Sequence, residues 1–148
     1  MSPQEEIFTL VKEAIESSTD LNTLIGSTPN TFANYAEEAT ACPYFIYKLN
    51  RMGNEGTGIG EGKLKISIWF YSTNSADIYT AEDIIVWLFD RKTLNSDTVK
   101  ACRIWHVAEE RKESIKKDYI KDRDAINIEI IFYLRWINVP RIVALGGS

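Results

Sequence analysis

Five glycines, Gly53, Gly56, Gly58, Gly60 and Gly62, crowd the stretch between Met52 and Lys63. Glycine-rich turns can wrap a phosphate when the backbone amides of a following helix point at it. The spacing here does not fit. A dinucleotide fingerprint, G-x-G-x-x-G, begun at Gly56 ends on Glu61, and begun at Gly58 it ends on Lys63. A phosphate loop, G-x-x-x-x-G-K-[ST], fails twice: Leu64 follows Gly62-Lys63, and Thr57 stands where the first glycine belongs. The residues that follow alternate as a strand. Residues 52–62 therefore read as a long, flexible hairpin loop that gains order on contact with a partner. Arg51, Glu55, Glu61 and Lys63 are its candidate contact residues.

Nucleophile and general-base types are sparse. His106 is the only histidine, and Cys42 and Cys102 are the only cysteines. His106 shares a strand face with Cys102 and Ile104, as a Cys–His enzyme would require, but no nucleophile elbow and no catalytic-cysteine signature accompanies them. The histidine reads as a structural or interface residue. Two cysteines and one histidine, far apart, give no zinc pattern. Carboxylates pair at Glu5-Glu6, Glu37-Glu38, Glu82-Asp83 and Glu109-Glu110. Sequence neighbours point to different sides of a helix or strand, so none is an acid/base pair by spacing. The expectation is a protein with no catalytic residues, no metal and no cofactor.

Residues 109–124 are the most charged part of the chain, with six basic and six acidic side chains. They read as a solvated connection or a protruding two-strand arm. Mixed signs suit contact between copies of the protein better than DNA binding, which wants one sign. Arg111, Lys112, Lys116, Lys117, Lys121 and Arg123 would supply the charge. Ile115, Tyr119 and Ile120 would anchor it, since such residues in a solvated arm call for a cover.

The elements that must position these residues follow from periodicity. Ser2-Pro3-Gln4-Glu5 is a helix start with a capping box. Ile7, Leu10, Val11, Ala14 and Ile15 then form one apolar stripe, with Glu6, Lys12, Glu13 and Glu16 on the other face. A short second helix, about residues 20–25, stops at Gly26. Residues 29–41 read as irregular, and 43–51 as a strand. Lys63 to Ser72 is the clearest strand, with Leu64, Ile66, Ile68 and Phe70 on one face. A helix opens at Asn74 or Ser75 and buries Ile78, Ala81, Ile85 and Leu88. Two more strands cover about 100–109 and 125–137, the last with Ile126, Ile128, Ile130, Phe132, Leu134 and Trp136 on one face. The expected fold is α+β: a mainly antiparallel sheet of four to five strands with two main helices on one face. The expected organisation is one domain over 1–148, with a flexible tail over 138–148.

Composition bounds the function. The chain has 148 residues, a net charge of -4 and 45% hydrophobic residues, enough for one packed core. An acidic chain is not built to bind nucleic acid through its whole surface. Residues 1–62 carry nine acidic and three basic side chains, so the remainder is about +2. Opposite patches of that kind let copies stack or ring head to tail. The two cysteines suggest a reducing compartment. The start has no signal-peptide pattern, and no apolar run is long enough to span a membrane.

The order strand, long loop, strand, helix, strand, strand, together with particular residues, resembles the tail-completion proteins of tailed bacteriophages. The residues are Phe32-Ala33-Asn34-Tyr35, Cys42-Pro43-Tyr44-Phe45-Ile46-Tyr47 and Lys65-Ile66-Ser67-Ile68-Trp69-Phe70-Tyr71. The helix opening after Ser75 with Ala81-Glu82-Asp83-Ile84, and the strand Ile126 to Trp136, complete the pattern. The resemblance covers about residues 5–137. It implies a homohexameric ring at the head-proximal end of a phage tail, in a virion assembled in the host cytoplasm. Such a ring ends the tail tube and joins it to the head connector. Its partners are further copies of itself, the tail tube protein and the neck proteins, with DNA only as cargo in the central channel. Other neck, head-closure, minor-tail or baseplate roles share these features. A host interaction module or a small enzyme using Cys102 or His106 are the readings from other classes.

Overall fold

The computed structural model describes residues 2–37, 40–52, 58–118 and 123–138. Helix α1, Pro3–Glu16, starts as expected: Ser2 Oγ accepts from the Glu5 amide at 3.2 Å, and proline occupies the first turn. Ile7, Val11 and Ile15 are fully buried. Glu6 departs from the expected polar face. It is 8% exposed, and its Oε1 accepts from the Thr98 amide at 3.3 Å, because a distant segment folds back over the start of the helix. Ser18 caps α2, Thr19–Ile25, and Gly26 ends it at φ 83°, a left-handed conformation that glycine adopts without strain.

The strands run β1, Thr31–Ala33; β2, Tyr44–Arg51; and β3, Ile59–Tyr71. After α3, Ser75–Phe89, come β4, Thr93–Leu94; β5, Val99–His106; β6, Lys112–Asp118; and β7, Arg123–Asn138. They form one sheet in the order β1-β2-β3-β7-β5-β4, with β6 also on β7. Only β1 pairs in parallel, with β2. The long β7 organises the sheet. One edge of β7 pairs with β3 from Ala125 to Ile137, and the other is shared by β6 at its start and β5 at its end.

The fold is thus α+β, with a sheet of seven strands where four to five were expected. The added strands are β1, β4 and β6. Two are very short and the third is charged at nearly every position, so none shows an apolar alternation. The charged connection is also corrected. Residues 112–118 pair with 123–129 of β7 in continuous register and make an edge strand, most of it integrated in the sheet. The Gly-rich loop is shorter than its composition suggests: Ile59, Gly60, Glu61 and Gly62 belong to β3 and pair with β7.

All three helices cover one sheet face. Phe45, Leu64, Ile66, Ile68, Ile128, Ile130, Phe132 and Leu134 meet the helical residues Ile7, Val11, Ile15, Leu21, Ile78, Ile85 and Phe89 in one continuous core. Each such side chain contributes about 1.5–3 kcal/mol on leaving water. The α3 stripe ends on Phe89 in place of Leu88, with the Phe89 ring edge-on to Phe132 at 5.7 Å.

Candidate interaction surface

A strand's side chains alternate between two faces. With the helices on one, the other face of this sheet carries no helix among the described residues. Across it run Tyr44, Ile46 and Lys48 of β2, then Lys63, Lys65, Ser67, Trp69 and Tyr71 of β3. Next come Asn127, Glu129, Ile131, Tyr133, Arg135 and Ile137 of β7. Arg103 and Trp105 of β5 and Lys112, Ser114 and Lys116 of β6 complete it.

The sheet sorts charge by side. Helices α1 to α3 carry Glu5, Glu6, Glu13, Glu16, Asp20, Asp77, Glu82 and Asp83 against the single cation of Lys12. On the open face the lysines and arginines outnumber Glu61 and Glu129. The open face is also aromatic. Tyr44 stacks on Trp69 at 5.8 Å, Trp105 meets Tyr133 at 5.5 Å, and Lys116 Nζ lies 5.5 Å over the Trp69 ring. Cations over rings and paired aromatics make a stiff, amphipathic surface of the kind enriched at protein interfaces.

The contact residues expected from the sequence are separated by this geometry. Glu61 and Lys63 lie on the open face, and Arg51, at the end of β2, lies on the helix side. Lys63 Nζ pairs with both oxygens of Glu110, at 2.7 and 2.9 Å. Glu61 is hydrogen-bonded to Tyr133, whose phenol is pushed up first by burial and then by that bond. Arg111 spans two elements. Its Nη2 donates to Glu113 at 2.8 Å and to Glu82 of α3 at 3.0 Å, and its Nε pairs with Glu82. These carboxylates raise the guanidinium's already high pKa. Tyr79 of α3 donates to Glu113 at 2.8 Å. The start of β6 is therefore fastened to α3 by charge within the chain. Arg123 lies 5.1 Å over the Tyr71 ring. Lys112 on the open face and Ile115 on the helix side remain outward, Ile115 being 66% exposed. Lys117 follows on the helix side, exposed at the edge. Glu55, Tyr119, Ile120, Lys121 and the tail beyond Asn138 lie outside the described residues.

Two concavities were not legible in the sequence. Beside α3, Glu82, Asp83, Val86, Trp87, Asp90, Lys92 and His106 line an acidic cavity of about 440 Å³. Trp87 is 69% exposed at its rim, with Lys92 Nζ 4.6 Å from the ring. On the open face, Ile59, Ala101, Arg103, Trp105, Arg135, Trp136 and Ile137 line a groove of about 390 Å³. Arg103 and Arg135 stand directly opposite each other on neighbouring strands there. Strand alternation puts each arginine on the polar side. Only the register of β5 against β7, shifted between Lys100 and Arg103, makes them neighbours.

Cys102 and His106 do lie on one face, as expected, but it is the core face. Cys102 is fully buried, and burial pushes its thiol up to about 12. A thiol so protonated is a poor nucleophile. The His106 ring packs on Phe132 at 5.6 Å, and its amide donates to Asp90 at 2.9 Å. Among the described residues no group of His, Cys, Asp and Glu could hold a metal ion. No helix among them is long and apolar enough to cross a membrane.

No family model matches the sequence, and no curated protein matches it. Its fold is similar to that of a solved chain from the "Virion of native gene transfer agent (GTA) particle". The TM-score is 0.62 with 13% identity, over 86% of this chain and 92% of that one. At that identity the likeness is one of fold.

Proposed function

We propose that this protein is a structural virion component: a ring of identical subunits at the head-proximal end of a phage tail, ending the tail tube and joining it to the head connector. The observation that carries this reading is the likeness of nearly the whole chain to a chain of a virion particle. The geometry supports it. Among the described residues one sheet face, basic and aromatic, carries no helix, and the opposite face bears a layer of acidic helices. A chain with two unlike sides suits head-to-tail contact, which makes a ring where the rotation between copies closes. In this reading its partners are further copies of itself, the tail tube protein and the neck proteins, and DNA passes through the ring as cargo. It works by geometry and charge complementarity, without catalysis.

The test is electron microscopy of particles made without this gene. Overlong or headless tails are expected, and tail length separates stopping from joining. Normal infectious particles would end this reading.

A further inference from the structure

The Arg103–Arg135 pair and the acidic cavity beside α3 are complementary. Two guanidiniums directly opposite on adjacent strands repel; Glu61 of β3 stands across from Arg135 on its other side, and among the described residues neither arginine forms an ion pair. Exposed like-charge pairs of this kind are tolerated where an anionic partner covers them. The acidic cavity offers a second anionic surface, one that could also reach Arg103. Asp83 is exposed at its rim and, among the described residues, forms no ion pair; Glu82, held by Arg111, and Asp90 line the wall. Trp87 offers an exposed indole four residues along the same helix, hence on the same side as Asp83, with the flexible Lys92 over its ring as the cation an arginine would displace. Carboxylates beside an indole are the setting in which an arginine both forks to oxygen and stacks on a ring.

We propose that the occupant of the groove is a second copy of this chain: Arg103 and Arg135 of one subunit enter the acidic cavity of the next, pairing with Asp83 and stacking on Trp87. The contact is heterologous, because each subunit uses its open face toward one neighbour and α3 toward the other. It rests on the ring reading above and names the surfaces that would make the ring. A nucleic acid would also seek the arginines but has no use for the acidic cavity. The requirement for both sides favours the second copy.

The test is sedimentation velocity at low ionic strength on the full chain and two variants. Wild type is expected to self-associate, more weakly as salt rises. Arg103→Glu with Arg135→Glu, and separately Asp83→Lys with Trp87→Ala, should each weaken association by about tenfold or more. Both changes are at exposed positions, so circular dichroism should report an unaltered fold. An equimolar mixture of the two variants should regain association, because the glutamates of one then face the lysine of the other. Variants that assemble like wild type would overturn the docking and leave the ring reading standing. So would an arginine variant that assembles normally and has lost affinity for a DNA duplex. Wild-type chain that stays monomeric at high concentration would overturn the docking too, with the gene-deletion phenotype left to judge the ring.

Discussion

The indole of Trp136 fills the space that a side chain on Gly60 would occupy. The two residues are direct partners across β3 and β7, and both are buried. A Cβ built on Gly60 would collide with the indole ring of Trp136. The glycine is thus part of the core, a place where one strand must come close beneath a large ring.

Gly60→Ala is therefore expected to destabilise the fold by about 1–3 kcal/mol, the range for forcing extra volume into a packed core. Urea unfolding followed by tryptophan fluorescence would check it, and an unchanged midpoint would show that the ring can move aside. The same packing limits how the glycine-rich segment can be probed. Gly58 accepts from the Asn138 amide at 2.9 Å and Ile59 is already strand, so a deletion that tests the loop must end before Gly58.

The Arg111–Glu113–Tyr79 cluster should show in the pH dependence of stability. Glu113 is held below its ordinary value, first by the Arg111 hydrogen bond and then by that of Tyr79. Its contribution is present above the unfolded carboxylate's pKa and is lost as pH falls through the lower folded one. Tyr79 is held above 10.0 by its bond to Glu113, so its share is present below that value and is lost as pH rises through the folded pKa. In Glu113→Gln the Tyr79 phenol should titrate closer to its ordinary value, which ultraviolet titration would read. At neutral pH the unfolding midpoint should move little, because the cluster is solvent-screened. A large loss at neutral pH would mean that β6 depends on it.

Cys102 should resist alkylation in the folded protein. Its thiol is fully buried and pushed up to about 12, so little thiolate exists at neutral pH. In a Cys42→Ser variant, mass spectrometry after iodoacetamide treatment should find Cys102 modified only once denaturant unfolds the chain. Rapid labelling of the native protein would show that the core opens around β5.

The sequence alone determined the elements whose residues repeat. α1, α2, α3, β2 and β7 stand close to where periodicity and caps put them, because a buried stripe at helical spacing or strict alternation is written into the chain. It also determined the α+β class, since helices with one apolar side need a sheet face as cover. Tertiary structure decided the rest. β6 carries no apolar alternation and is a strand because β7 offers it a free edge. Gly60 is core and not loop because Trp136 lies over it. Glu6 is buried because Thr98, 92 residues further along the chain, packs against it. The neighbouring arginines, Arg103 and Arg135, and the sorting of charge between the two sides of the sheet depend on strand register. Register is a relation between distant segments, and no local pattern encodes it.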